Sequence, residues 1–161
     1  MVAIMNEALE LKAGLRVLEV GAGSGWHAAT VAEVVAPSDA PREEWGHVWT
    51  IEIVPELALM ARKNIEENGF SDRITVLHGD GSIGYPSEAP YDRILVTAAA
   101  PDIPRPLVEQ LADGGILLVP TGSLYFFQRL LKVRKKGDEI QVQDLGGVAF
   151  VPLRGKYGHK L

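Results

Sequence analysis

The order of apolar and polar positions along the chain predicts alternating helices and strands. Apolar side chains recur at roughly helical spacing over residues 2–11 until Gly14, which predicts a short amphipathic helix. Residues 15–20 form a mostly apolar run with little alternation, typical of a strand covered on both faces. A glycine-rich turn at 21–25 leads into a second helical pattern over 26–35. The chain therefore opens with helix, strand, glycine turn and helix.

The same alternation continues to about residue 120 and then changes. Further strands are predicted at 47–53, 74–77, 92–97 and 116–120, with helices at 56–68 and 107–111 and a polar loop with two prolines at 37–45. Two last strand patterns, 126–134 and 140–148, flank a hairpin signal at 135–139. Because alternating strands and helices form parallel units with right-handed crossovers, we expect an α/β, Rossmann-like fold. Helices should cover both faces of a mostly parallel sheet, and antiparallel C-terminal strands should complete its edge.

Length, composition and charge limit the number of domains, the kinds of partner and the compartment that we expect. A chain of 161 residues with 47% apolar residues has enough material for one core, so we expect a single domain over residues 1–161. The net charge of −5 argues against nucleic acid as the main partner, because such binding depends on lysine and arginine. Cysteine is absent and no apolar run is long enough to span a membrane, so a cytoplasmic protein is expected.

The glycine turn is the first candidate for ligand binding. Gly21, Gly23 and Gly25 are spaced G-x-G-x-G, which does not fit a P-loop, and Trp26 stands where a dinucleotide fingerprint has its third glycine. Ligands of such folds bind beyond the carboxyl ends of the strands, where the strand order reverses. Glycines let a ligand approach the backbone there, and the N–H groups of the following helix face a carboxylate or phosphate. A tight turn with no ligand is the alternative reading.

Two acidic residues follow the next two strands. Glu52 ends the second strand, where a carboxylate accepts hydrogen bonds from the ribose hydroxyls of NAD or of another adenosine cofactor, or else is simply solvated. Its separation from Gly21 exceeds the usual spacing of about 20 residues, and the 37–45 loop accounts for most of the excess. Asp80 lies between glycines after the third strand and could accept from an adenine amino group, although Asp and Gly also favour ligand-free turns. A glycine loop followed by two such acids is the layout that encloses S-adenosylmethionine.

A more specific resemblance is carried by the segments VLEVGAGSGW, IEIVPELALMARKNIEENG, VLHGDGSIGYP, YDRILVTAAAPDIPRPLVEQLADGGILLVPTG and DLGGVAFVPLRG. Together they resemble the protein L-isoaspartate (D-aspartate) O-methyltransferase family across nearly the whole chain. The resemblance implies a class I methyltransferase fold that uses S-adenosylmethionine. It also implies a protein-repair activity that esterifies the free carboxyl of L-isoaspartyl or D-aspartyl residues in damaged proteins. The implied partners are isoaspartate-containing proteins or peptides, with no nucleic acid or membrane, and the implied state is a monomer.

The resemblance also implies roles for individual residues. The implied cofactor-binding residues are Glu19, Gly21, Ala22, Gly23, Ser24, Gly25, Glu52, Ile53, Gly79, Asp80, Gly81 and Thr97. Among these, Glu19, Gly21 and Gly23 would border the methionine part of the cofactor. Glu52 would border the ribose, and Asp80 the adenine. Thr97, Ala98 and Ala99 are the implied catalytic positions, as the floor where methyl donor and substrate carboxylate meet.

One departure from the family concerns the start of the chain. The family carries a Thr-Ile-Ser-Ala-Pro-His type motif just before the position of Met1, and its serine helps to hold the substrate carboxylate. The sequence given starts after that motif. A shortened product, a partner that supplies the missing surface, or cofactor binding without turnover would each explain this. An S-adenosylmethionine-binding module without isoaspartyl methyltransferase activity is therefore the alternative function.

Chemistry that the sequence does not display narrows the choice further. A carboxylate nucleophile is already ionised at neutral pH, so methyl transfer to it needs no strong base. The sequence offers no serine protease triad and no zinc motif, and no metal is expected.

The histidines and the basic residues have simpler interpretations. The four histidines are scattered and expected at the surface or at strand ends, namely His27, His47, His78 and His159. The basic residues Arg129, Lys132, Arg134, Lys135 and Lys136 are interpreted as a solvated hairpin end. Methylation of RNA or a small molecule, and an NAD dehydrogenase, rank below these readings.

Overall fold

The computed structural model describes residues 1–160 and contains one seven-stranded sheet flanked by four α-helices. The strands are β1 Arg16–Val20, β2 His47–Glu52, β3 Ile74–His78, β4 Tyr91–Val96, β5 Leu111–Gly122, β6 Gln128–Lys136 and β7 Glu139–Val148. The helices are α1 Val2–Ala8, α2 Trp26–Val35, α3 Pro55–Glu67 and α4 Arg105–Glu109, with 3₁₀ turns at Arg42–Glu44, Gly81–Ile83 and Pro86–Glu88.

The order of the strands determines where a site forms. The sheet runs β3-β2-β1-β4-β5-β6-β7, with parallel pairing from β3 to β5 and antiparallel pairing for β6 and β7. This confirms the predicted Rossmann-like fold class. Because β1 pairs with both β2 and β4, the strand order reverses at β1. The carboxyl ends of β1, β2 and β4 therefore meet at the point where such folds bind ligands.

Both faces of the sheet are covered by apolar packing. Along β1, Val17 joins one buried cluster, while Leu18 and Val20 join the other. The first cluster contains buried residues of α1, α2 and α3, and the second contains residues of α4. Strands buried on both faces have no room for alternating polar positions, which explains the continuous apolar runs of the sequence.

The first helix, α1, ends earlier than its apolar pattern predicts. The helix predicted over 2–11 stops at Ala8, and Glu10 has a positive φ of 53°. The Arg93 side chain, 9% exposed, donates hydrogen bonds to the carbonyls of Leu9 and Glu10. The carboxylate of Glu10 pairs with Arg134 at 2.8 Å and Lys132 at 3.6 Å. These contacts to β4 and β6 hold the turn after α1 and override the local pattern.

The helix predicted over 107–111 was placed wrongly at its C-terminal end. α4 covers Arg105–Glu109, and Leu111 already belongs to β5, opposite Tyr91 of β4. Leu111 is buried in the second apolar cluster, so its packing suits either a helix or a strand. Backbone pairing with β4 decides in favour of the strand, with an irregularity in register before Ile116.

The C-terminal hairpin turns more tightly than the sequence suggests. Lys135 and Lys136 pair with Ile140 and Glu139, so they lie in β6, and the turn itself lies at Gly137, where φ is 60°. The Lys135 ammonium donates to the carbonyls of Val108 and Leu111, at 3.2 and 3.1 Å. The basic run is therefore only partly a solvated hairpin end. Within residues 1–160, no helix is long and apolar enough to cross a lipid bilayer.

Candidate functional site

The glycine turn after β1 needs glycine for steric reasons of its own. Gly21, Gly23 and Gly25 have φ values of 101°, 53° and 88°, in the region that side chains disfavour. A Cβ at Gly21 would overlap the Thr97 hydroxyl, whereas a Cβ at Gly23 would meet no heavy atom within 4 Å. Gly25 begins α2 as its N-cap. The turn thus places Gly21 against β4 and leaves open space beside Gly23.

A cavity of about 310 Å³ opens at the carboxyl ends of the central strands. Its lining consists of Val20, Gly21, Gly23, Ile51, Glu52, Ile53, Val54, Leu57, Gly81, Thr97, Ala98, Val151, Pro152, Leu153 and Arg154. Seven of the predicted site positions border this cavity, namely Gly21, Gly23, Glu52, Ile53, Gly81, Thr97 and Ala98. The sheet topology therefore brings together residues from four separate segments of the sequence prediction.

Glu52 is the acidic side chain of this cavity. It is 6% exposed, and its two oxygens accept hydrogen bonds from the backbone N–H groups of Gly23 at 3.0 Å and Val54 at 3.1 Å. These two donors fix the orientation of the carboxylate at the end of β2. Each carboxylate oxygen retains a further lone pair, so the group still has capacity to accept from hydroxyls.

The predicted floor after β4 divides into two roles. The Thr97 hydroxyl donates to the carbonyl of Gly21 at 2.7 Å, which ties the end of β4 to the glycine turn. Ala98 borders the cavity beside it. Ala99 is fully buried, and its backbone exchanges hydrogen bonds of 2.8 Å with Val151 and Leu153. Ala99 therefore holds the segment 151–153 across the cavity instead of facing it.

Asp80 makes structural contacts in this conformation. Its carboxylate accepts from the backbone N–H of Ser82 at 2.9 Å, the Ser82 hydroxyl at 2.6 Å and the backbone N–H of Lys156 at 2.9 Å. It caps the 3₁₀ turn after β3 and anchors the C-terminal segment. Neither Asp80 nor Gly79 lines the cavity, although the adjacent Gly81 does. The adenine role of Asp80 stays a prediction.

The remaining predicted turn residues lie away from this cavity. Ser24 and Gly25 border a separate groove between α2 and α3, and Ala22 is buried in the first apolar cluster. Glu19 lies beneath the glycine turn, is fully buried, and accepts a 2.6 Å hydrogen bond from the Thr50 hydroxyl on β2. Its second oxygen has no hydrogen-bond partner. Burial raises the pKa of the Glu19 carboxyl to about 8, so it is protonated at neutral pH.

His27 extends this series of buried polar side chains from Glu19 towards α1. Its Nδ1 lies 3.9 Å from the free Glu19 oxygen, and its Nε2 lies 2.8 Å from Oδ1 of Asn6. The Asn6 amide donates to the Thr30 hydroxyl at 3.0 Å, so its oxygen faces His27 and the imidazole carries its proton on Nε2. Burial lowers the pKa of His27 to about 4, so it is neutral.

The expected surface or strand-end position of His27 was therefore wrong. Only 9% of the residue is exposed, because the second position of α2 faces the sheet together with Val31. The signal was available in the sequence, since His27 precedes Val31 by one helical turn on the apolar stripe of the helix. Across residues 1–160, no three His, Cys, Asp or Glu side chains are grouped to hold a metal ion.

The cavity also contains residues that reasoning from the sequence missed. Leu57 comes from the first turn of α3, and Val151, Pro152, Leu153 and Arg154 come from the segment after β7. The family resemblance included the FVPL stretch but gave no role to it. No local pattern predicts that this segment crosses the ends of β1 and β4, because the contact joins positions about fifty residues apart, such as Ala99 and Pro152.

Comparisons with known proteins agree with this geometry. The family model described as protein-L-isoaspartate(D-aspartate) O-methyltransferase matches residues 1–158. A protein-L-isoaspartate O-methyltransferase of Hyperthermus butylicus is 58% identical over 98% of this chain and 66% of its own length. The corresponding protein of Korarchaeum cryptofilum is 57% identical, over 98% of this chain and 72% of its own. The chain thus spans about two thirds of the length of these curated relatives.

Solved structures extend the comparison to the fold. A protein-L-isoaspartate O-methyltransferase superposes with a TM-score of 0.87 at 30% identity, covering 98% of this chain and 47% of the other. A Plasmodium falciparum protein, described as a putative protein-L-isoaspartate O-methyltransferase in complex with S-adenosyl-L-homocysteine, superposes with a TM-score of 0.77 at 26% identity, over 95% and 71%. The family model and the curated relatives cover nearly all of the sequence, so this chain belongs to the protein-L-isoaspartate (D-aspartate) O-methyltransferase family.

Proposed function

We propose that this chain is an S-adenosylmethionine-dependent methyltransferase that esterifies the free carboxyl of L-isoaspartyl (D-aspartyl) residues in damaged proteins. The observation that carries the proposal is the cavity of about 310 Å³ in which Gly21, Gly23, Glu52, Thr97 and Ala98 meet. Its position at the reversal of strand order is where this fold class binds ligands. We further propose that residues 1–161 act as one domain.

The residues around the cavity fit the proposed cofactor. Glu52 presents a carboxylate, oriented by two backbone N–H groups, to which ribose hydroxyls can donate. The open space beside Gly23 leaves the backbone accessible to the methionine part, and Gly81, which packs closely on Val20, lines the cavity at the end of β3. The cofactor, when bound, supplies a methyl group activated by the positive charge of a sulfonium. The Plasmodium relative in complex with S-adenosyl-L-homocysteine supports this assignment.

The protein contributes positioning and desolvation to the proposed reaction. Thr97 is locked by its bond to the Gly21 carbonyl, and Ala98 is small, so a substrate carboxyl can approach at the end of β4. Most of the lining is apolar, including Leu57, Val151 and Leu153. Charge disappears when a carboxylate reacts with a sulfonium, so exclusion of water and alignment carry most of the catalysis. No general base is needed, because the carboxylate is ionised at neutral pH.

The decisive experiment compares two peptides that differ in one linkage. The chain is incubated with labelled S-adenosylmethionine and a peptide that contains isoaspartate, with the ordinary aspartyl peptide as control. We expect base-labile methyl ester in the isoaspartyl peptide alone. Cofactor binding in a calorimetric titration without any methyl ester would instead support the binding module without turnover. The names of the curated relatives favour the enzyme over that alternative.

Cellular context belongs to the same proposal. We propose a cytoplasmic monomer whose partners are proteins carrying isoaspartate. The absence of cysteine from the sequence agrees with a reducing compartment, where disulfides are not needed. Light scattering of the purified chain at micromolar concentration tests the monomer, and a dimeric mass would contradict it.

A further inference from the structure

The cavity is lined by one positively charged side chain, Arg154, which was not among the site residues predicted from the sequence. Glu52 and Arg154 are the two lining residues with ionisable side chains. Glu52 stands at the end of β2, whereas Arg154 follows the segment 151–153 that pairs with Ala99. Arg154 therefore follows the residues that pair with the end of β4, next to Thr97 and Ala98, where the proposed methyl transfer takes place, and precedes those that contact Asp80 after β3.

The backbone around Arg154 is held on both sides. Before it, the Leu153 N–H donates to the Ala99 carbonyl at 2.8 Å. After it, the Lys156 N–H donates to the Asp80 carboxylate at 2.9 Å. Gly155 between them packs so closely on Asp80 that a Cβ there would overlap its carboxylate. The Cα of Arg154 is thus fixed at the cavity rim, and little backbone ordering is needed for its side chain to bind a ligand.

The side chain itself is free to bind. In the part of the chain that the structure describes, no carboxylate lies within 4.0 Å of the Arg154 guanidinium, and the residue is exposed. Arg129 and Arg134 on β6 differ, since Arg129 pairs with Asp144 and Arg134 pairs with Glu10, each at 2.8 Å. An unpaired arginine is ordinary on a surface, but this one borders the cavity proposed to accept a carboxylate.

The electrostatics of the cavity favour such a cation beside the sulfonium of the cofactor. The Glu52 carboxylate opposes the entry of a second negative charge into a small apolar space. A guanidinium offsets that repulsion, and its planar donors match the two oxygens of a carboxylate. Lysine would supply the charge without this geometry.

We propose that Arg154 binds the free carboxylate of the isoaspartyl residue and so determines substrate specificity; this inference rests on the proposed function. One carboxylate oxygen pairs with the guanidinium while the other forms the bond to the methyl carbon. The carbon–sulfur bond breaks, its electron pair stays on sulfur, and no proton moves. The ester is neutral, so the ion pair with Arg154 is lost on reaction. The same residue therefore favours binding of substrate and release of product.

The test measures peptide binding without turnover. The protein is saturated with S-adenosylhomocysteine, and an isoaspartyl peptide is titrated in by calorimetry. We expect Arg154→Gln to weaken peptide binding at least tenfold and to change S-adenosylhomocysteine affinity less than twofold. Arg154→Lys should give an intermediate loss. Lys156→Gln is the matched control, because it removes the same charge two residues away and keeps the backbone N–H; it should change neither affinity by more than twofold. The methyl-esterified peptide should lose its dependence on Arg154.

Several outcomes would overturn the inference. Equal peptide affinity in wild type and Arg154→Gln removes the residue from substrate binding. A parallel loss of S-adenosylhomocysteine affinity assigns the guanidinium to the carboxylate of the cofactor instead. A peptide that fails to bind the loaded wild-type protein also contradicts it. A wild-type protein that binds peptide through Arg154 but forms no ester refutes the proposed turnover and supports this inference, so the two failures are distinguishable.

Discussion

The two sides of the glycine turn contain the same kind of residue in opposite states. On the cavity side, Glu52 accepts hydrogen bonds from two backbone N–H groups and borders open space. On the buried side, Glu19 accepts one hydroxyl bond, has a free oxygen, and is fully enclosed. The two acids lie on adjacent strands, where Glu19 pairs with Thr50.

This difference shows that position relative to the strand end decides the chemistry of a carboxyl group. Glu52 is the last residue of β2, so it reaches the N–H groups of the next turn and the solvent of the cavity. Glu19 comes one residue before the end of β1 and is covered by α2 through His27. Loss of hydration favours the neutral form, which raises the pKa of Glu19 to about 8. One side leaves a carboxylate facing an open cavity, whereas the other supports the turn from beneath.

The largest expected effect comes from breaking the turn that separates the two sides. Gly21→Ala places a methyl group against the Thr97 hydroxyl at a positive φ. Left-handed strain costs about 1–2 kcal/mol, and loss of the Thr97 hydrogen bond adds about 1 kcal/mol. We expect a total loss of about 2–3 kcal/mol in denaturant unfolding.

Gly23→Ala is the matched control, because its Cβ would enter the cavity without touching protein. Its unfolding free energy should fall by no more than the strain of about 1–2 kcal/mol, while S-adenosylhomocysteine binding should weaken more than tenfold. Equal destabilisation by both substitutions would contradict the division of the turn into a packed and an open side.

The next effect is a pH dependence on the buried side. The Glu19 pKa rises from 4.5 to about 8 on folding, so the folded state retains a proton that the unfolded state loses. Stability from this group is present below pH 4.5 and decreases as pH rises towards 8. His27 opposes this below its ordinary pKa of 6.5, because its folded pKa of about 4 favours stability at higher pH.

The net loss should therefore be visible between pH 6.5 and 8, amounting to about 2 kcal/mol at about 1.4 kcal/mol per unit. Glu19→Gln keeps the shape of the protonated acid and should abolish this loss. Unfolding titrations of both proteins across that range provide the measurement. A parallel pH profile in the variant would show that Glu19 is ionised in the folded state.

On the cavity side, Glu52→Ala tests ligand binding instead of stability. We expect affinity for S-adenosylhomocysteine to fall at least tenfold, about 1.4 kcal/mol, because ribose hydroxyls lose a charged acceptor. The unfolding free energy should change by less than about 1 kcal/mol, since the freed N–H groups of Gly23 and Val54 gain access to cavity water. Unchanged affinity in calorimetry would remove Glu52 from the cofactor site.

The smallest expected effect concerns Asn6, at the α1 end of the series of buried polar side chains that begins at Glu19. Asn6→Ala leaves the Nε2–H of His27 without its acceptor and should cost about 1 kcal/mol, or about 2–4 °C in Tm. Asn68→Ala is the control, because its amide bonds the Asn64 carbonyl at the exposed end of α3 and should cost no more than about 0.5 kcal/mol. Equal melting temperatures in calorimetry for wild type and Asn6→Ala would show that the hydrogen bond between Asn6 and His27 does not stabilise the fold.

Local patterns predicted most of the fold. α2 begins and ends where its periodicity predicts, and every strand except β5, which begins five residues before its predicted start, lies within a few residues of its apolar run. The errors occur where distant contacts decide, as when Arg93 holds the turn after α1 and Tyr91 pairs with Leu111. Helical or strand propensity is a weak prior that tertiary contacts override.

The site was predictable as far as strand ends and glycines define it. Gly21, Gly23, Glu52 and Thr97 were expected at the cavity, and the topology brings them together. Arg154 was missed, because its place follows from how the chain returns across the sheet after β7. His27 was missed although it lies one helical turn before Val31 on the apolar stripe of α2, because a histidine is polar and was not counted as part of that stripe.

The pairing of Glu10 with Arg134 has a consequence for synthesis of the protein. The two residues are 124 positions apart, and the turn after α1 also depends on Arg93. While the chain leaves the ribosome, the first helix can contact α2 through Asn6, but the turn after it has no anchor until β4 emerges and gains its full set of contacts only after β6 has emerged. The turn after α1 is therefore among the last parts of this chain to be fixed, and a nascent chain stalled before residue 134 should leave that turn open to proteolysis.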